Sequence, residues 1–168
     1  GGRNIDIQRV SRMTQVYPSG VPFDLGDCLV TPLYAGSIRL DGGAMFGIIP
    51  KAIWARLCPA DEHNRIQLGC NSLLVEPRGS GRRLIVETGH GSKFGEKEQR
   101  LFGIDPSRWL LSSLAACGID PAGITDVVLT HLHFDHAGGL TMAAADGKLV
   151  PTFPNARVHV QRREHDDA

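Results

Sequence analysis

No apolar run in this sequence approaches the roughly 20 residues needed to cross a bilayer, so no helical membrane span is expected. Paired cysteines are missing as well. Cys28, Cys58, Cys70 and Cys117 are widely spaced and form no C-x-x-C motif, which removes zinc-finger and thioredoxin-like readings. Four cysteines in 168 residues do not make a disulfide scaffold. Buried free thiols are the expectation, Cys70 in a strand and Cys117 at the end of an apolar helical stretch, which favours a reducing cytoplasm. Neither sign of charge dominates. Eighteen basic and eighteen acidic residues cancel, leaving no electrostatic footing for nucleic acid or an anionic membrane. The glycine-rich segment Gly89-His90-Gly91-Ser92-Lys93 lacks Rossmann and Walker spacing, so no phosphate loop is expected. Ser112-Ser113 lack a G-x-S-x-G setting, so a serine nucleophile has no support. Internal repeats and low-complexity tracts are absent too. With 42% hydrophobic and 21% charged residues, the composition is that of an ordinary globular segment of one domain.

Against this plain background stands His131-Leu132-His133-Phe134-Asp135-His136. Three imidazoles and a carboxylate fall within six residues, directly after the strand-like run Ile124 to Thr130 and before Gly138-Gly139. Imidazole nitrogen and carboxylate oxygen suit zinc and similar divalent ions. His131 and His133, two apart, can face the same way in an extended loop and grip one ion. Asp135 and His136, being adjacent, point differently and serve a second. A histidine-rich surface loop is the bland alternative, but the H-x-H-x-D-H string is far more specific than a lone histidine.

Residues 1 to 27 mix charge, proline and glycine without periodicity and read as an amino-terminal arm, with a single domain over 28 to 168. Leu29 to Leu33 and Ser37 to Leu40 read as short strands around a Tyr34-Ala35-Gly36 turn, and Pro50 to Leu57 as a short helix. Ile66 to Glu76 and Arg82 to Thr88 read as a hairpin through Pro77 to Gly81. Asp105-Pro106 opens a helix through Trp109, Leu110 and Leu114 that stops at Gly118. Strand 124–130, the histidine loop, a strand near Arg157 to Gln161 and a charged tail complete the chain.

The H-x-H-x-D-H string is the signature of the metallo-β-lactamase fold superfamily, which this chain resembles over about residues 28 to 162. The stretches Leu40 to Trp54, Ile85 to Gly91, Gly95 to Glu98 and Phe102 to Ile104 look like the YtnP-like quorum-quenching branch, the N-acyl-homoserine lactone lactonases. Glu87 stands where many members carry aspartate. The resemblance implies an α/β fold, the αββα sandwich, and two divalent ions, zinc foremost. In that family a third histidine, a bridging aspartate and a last histidine lie several dozen residues beyond the signature. Only 32 residues follow His136 here, and His159 and His165 lack the family context. The chain therefore looks like the amino-terminal half, a mixed sheet with helices on one face. Its open sheet face should be covered by a carboxyl-terminal half or a second copy.

The activity the resemblance implies is that of a metal-dependent hydrolase opening N-acyl-homoserine lactones with metal-bound hydroxide, with Asp135 both a ligand and an orienting group. Thioester, phosphoester or organophosphate hydrolysis is the alternative within the fold. A catalytically silent half-domain that assembles through its sheet is the alternative outside it. Met45, Phe46, Ile48 and Trp54 are either a substrate pocket or ordinary core. His90 is either a substrate contact or a solvated loop histidine.

Overall fold

A computed structural model describes residues 20–168. Most of the expected arm, residues 1–19, lies outside the described residues. The main sheet contains β1 (Phe23–Asp24), β2 (Cys28–Asp41), β3 (Arg65–Pro77), β4 (Leu84–Val86), β5 (Asp126–Val128) and β8 (Arg157–His159), in the order β1-β2-β3-β4-β5-β8. The first four pair antiparallel; β4, β5 and β8 pair parallel. A separate hairpin joins β6 (Thr141–Ala143) to β7 (Leu149–Pro151). The helices are α1 (Gly42–Phe46), α2 (Lys51–Trp54), α3 (Glu96–Phe102), α4 (Leu110–Ala116), α5 (Phe134–Ala137) and α6 (Arg162–Asp167). No helix among them is long and apolar enough to cross a membrane.

Several local expectations need correction. The two short strands around Tyr34-Ala35-Gly36 are one 14-residue strand, β2. Its register slips between Tyr34 and Ser37 because Gly36, at φ +117, takes up an extra residue as a bulge instead of reversing the chain. The helix expected from Asp105 starts only at Leu110, since the Asp105 carboxylate instead binds the Ser107 backbone N–H and hydroxyl at 2.9 and 2.6 Å. Helix α3, the β6–β7 hairpin and the helical form of the charged tail went unforeseen. Cys70 is buried as expected, but Cys117 is exposed, because it caps α4 on the side turned from the sheet core.

Strand periodicity decides which face is covered. Along β3, Ile66, Cys70, Ser72 and Leu74 are buried while Gln67, Gly69, Asn71 and Leu73 are exposed. Leu74 lies beside Ile85 and Ile85 beside Val127, and this row packs under Leu110 and Leu114 of α4, all five side chains being almost fully buried. The opposite row, Pro32, Leu73, Val86 and Val128, carries no helix among the described residues and stays partly accessible. Within those residues the six-stranded sheet has helices on one face.

One polar anchor holds the lower end of the parallel region. Asp126 is buried and accepts from Arg82 through Nε and Nη2 (3.1 and 2.7 Å), from Thr125 Oγ1 (2.7 Å) and from His159 Nε2 (2.8 Å). The Arg82 guanidinium first, then Thr125 and His159, hold its carboxyl well below the ordinary 3.8. A depressed carboxylate stabilises the fold fully above its unfolded pKa, and the contribution fades as pH drops below about 4. Asp126→Asn should therefore cost about 1–3 kcal/mol at neutral pH, toward the low end because Arg82 is half exposed. The penalty should shrink in acid, as read from denaturant midpoints at pH 7 and pH 3.

Candidate metal centre

Because β4, β5 and β8 run parallel, their carboxyl ends open onto one edge of the sheet. Loops at such an edge lie clear of strand pairing and are where open α/β sheets gather ligands. The loop after β5 carries His131 and His133, and the single-turn helix α5 carries Asp135 and His136, with His133 as its N-cap. The ring centroids of His131 and His133 are 4.7 Å apart, those of His131 and His136 3.9 Å. All four predicted donors thus share one partly exposed patch.

His136 is gripped twice. Its Nδ1 lies 2.5 Å from Oε2 of Glu87. Its carbonyl accepts from the backbone N–H and the hydroxyl of Thr88, at 2.7 and 2.8 Å. The second Glu87 oxygen accepts from the Thr130 backbone N–H at 2.7 Å. To reach both partners Glu87 is buried and adopts a left-handed backbone, φ +65, a conformation costing a non-glycine residue of order 1–3 kcal/mol. An ionised carboxylate only accepts, so a neutral His136 carries its proton on Nδ1 and turns the Nε2 lone pair outward. Asp135 Oδ2 stands 3.5 Å from that nitrogen. Two acceptors facing each other at this separation suit a cation beside them, and the imidazole and carboxylate chemistry fits a divalent ion. Among the described residues, no three His, Cys, Asp or Glu side chains close a shell around one point. The donor set is partial.

The remaining candidates lie elsewhere. His90 is neither solvated nor exposed to substrate; it is wholly buried. Its Nδ1 donates to the Gly91 carbonyl at 2.6 Å, its Nε2 has no partner among the described residues, and burial lowers its pKa. The ring fills the hollow left by Gly36, where a Cβ would collide with it, so the β2 bulge and the post-β4 loop interlock. Cys70 is also buried, and desolvation together with the Asp135 charge pushes its thiol up to about 12. Trp54 is buried, stacked on Phe46 at 4.9 Å and lying over Gly42. Met45 is exposed and Ile48 fully so, which overturns the core reading for both. Beside the four candidate donors, Phe134 packs against Phe94 and Phe102 at 5.7 and 5.2 Å, an apolar wall the sequence pattern did not reveal. Glu87 went unrecognised as a support; its only local signal is an acidic residue ending a strand before Thr88-Gly89.

A half-sandwich with a histidine-aspartate loop at its parallel edge defines a metallohydrolase-type fold. The family model of the Metallo-beta-lactamase superfamily matches residues 65–160, and the chain belongs to this superfamily. Ribonuclease Z of Mycobacterium avium is 34% identical over 73 residues, 44% of this chain and 23% of its own. The N-acyl homoserine lactonase AttM of Azorhizobium caulinodans is 41% identical over 58 residues, 34% of this chain and 18% of its own. Among solved structures, a probable metal-dependent hydrolase from Staphylococcus aureus shares 36% identity at TM-score 0.76, covering 86% of this chain and 50% of that one. AidC, a dizinc quorum-quenching lactonase, shares 27% at TM-score 0.59, covering 89% and 47%. The chain thus spans about half the length of these structures, and its matches cover about a fifth of the curated relatives.

Glu87→Gln keeps the shape of the clamp and removes its charge. Zinc affinity should fall roughly tenfold or more, as for other supports of metal-bound histidine, with little change in thermal midpoint. Chelator competition reads the affinity; an unchanged value would show that Glu87 only shapes the loop.

Proposed function

We propose that this chain supplies the metal-binding half of a metal-dependent hydrolase that opens N-acyl-homoserine lactones. The observation that carries the reading is the Asp135–His136–Glu87 arrangement in the H-x-H-x-D-H loop, with its outward Nε2 and facing carboxylate. His131 and His133 would hold one divalent ion and Asp135 with His136 a second, with zinc the first choice. Such ions, when bound, lower the pKa of water toward neutrality and polarise an ester carbonyl. The residues themselves hold and orient: Glu87 fixes the His136 tautomer and ring, and Asp135 turns a carboxylate oxygen toward the attacking water. Phe134, Phe94 and Phe102 offer an apolar surface beside the donors, suited to an acyl chain. Similarity to AttM and AidC supports the lactone as substrate.

Phosphodiester hydrolysis is the second reading, favoured by the ribonuclease Z similarity. A panel of lactone, thioester, phosphodiester and organophosphate substrates on a protein continuing past residue 168 separates these. Four donors shared by two ions leave two each, whereas catalytic zinc usually has three plus water. The other donors belong to a carboxyl-terminal half or a second copy seated on the open sheet face.

Three outcomes are expected. The double substitution His131→Ala, His133→Ala should abolish copurifying zinc by elemental analysis; unchanged zinc would remove the metal reading. The 168-residue chain alone should bind zinc below two equivalents and turn over lactone poorly. In a completed protein Asp135→Asn should lower lactone turnover by orders of magnitude with the fold intact. A monomer of this chain with two tight ions and full turnover would refute the half-site.

A further inference from the structure

The charged tail folds into a short helix that returns to the histidine loop. Strand β8 pairs parallel with β5, and the ladder runs one residue past β5, the Leu129 N–H donating to the carbonyl of His159 at the end of β8 at 2.9 Å. The chain leaving β8 therefore emerges beside the metal loop, where Gln161 turns it into α6. One turn into that helix, Oε1 of Glu164 accepts from the backbone N–H of Leu132 at 2.8 Å. Leu132 lies between His131 and His133, and its side chain packs against the core from the loop. Among the described residues this N–H has no other acceptor, and both groups are partly shielded from water.

From this contact we infer that Glu164 is a positioning residue, whose carboxylate fixes the peptide plane between the two imidazoles of the first metal pair. The inference rests on the metal reading above. An N–H bonded to a charged acceptor is held about twice as firmly as one on a neutral group. With the Leu132 side chain anchored on one side and its N–H on the other, His131 and His133 leave a backbone held in place before any ion arrives. Preorganised ligands bind metal more tightly because less ordering remains to be done.

The test uses the 168-residue chain and three variants. Glu164→Ala removes the acceptor, Glu164→Asp shortens its reach by one methylene, and Glu164→Gln keeps an oxygen at the same reach. Zinc affinity by competition with a chromophoric chelator should fall roughly tenfold in the alanine and aspartate variants. The glutamine variant should recover most of the loss. In the metal-free chain, hydrogen exchange at the Leu132 amide, followed by NMR, should quicken in the same order. Unchanged Leu132 exchange in Glu164→Ala would overturn the contact, and normal zinc affinity with quickened exchange would overturn its role. Should this chain hold too little zinc to titrate, the same variants are compared in a protein continuing past residue 168; if that protein binds no zinc either, the metal reading fails and takes this role with it, whereas a loss confined to the variants leaves that reading standing.

Discussion

Everything at the candidate site depends on parallel pairing among three very short strands. Parallel strands need long connections, and the two here contain helices α3 and α4 and then the metal loop with its hairpin. Because all three strands end at the same edge, their exits are brought together without any contact between the loops being needed first. Glu87 comes from one exit, the four donors from the second and Glu164 from the third. The sheet is thus the scaffold that converts three distant stretches of sequence into one neighbourhood, and buried Asp126, bound by Arg82, ties the opposite ends of β4 and β5.

Within that neighbourhood stability and function pull against each other. Glu87 sits in a backbone conformation most residues avoid, and Asp135 faces an imidazole lone pair instead of a donor. A sequence selected for stability alone would place a glycine at the first position and a hydrogen-bonding pair at the second. Strain and unmet acceptors kept side by side at one edge are the usual mark of a site organised for something it binds.

The candidate donors were readable as a group because they are contiguous, and the structure brings the rings of His131, His133 and His136 and the Asp135 carboxylate into one patch. Their supports were not readable in this way. Glu87 lies 49 residues from His136 and Glu164 lies 32 from Leu132, separations at which no local pattern survives. Strand identity along β3 followed from alternation, while the continuity of β2 hinged on whether Gly36 turned the chain or bulged it, which the buried ring of His90 decides from the far side. His90 itself misled because a Gly-His-Gly segment reads as solvated. The burial comes from β2 passing over it.

The contrast between two cysteines has a practical side. Cys117 is open to solvent, while Cys70 is packed beneath the metal loop with its thiol pushed far above neutral pH. Alkylating reagents attack the thiolate, so the folded chain reacts at the outer cysteine and scarcely at the inner one. Modification of Cys70 then requires the sheet to part from the loop above it. Its rate reports how often that region opens, a clock for local breathing already present in the sequence.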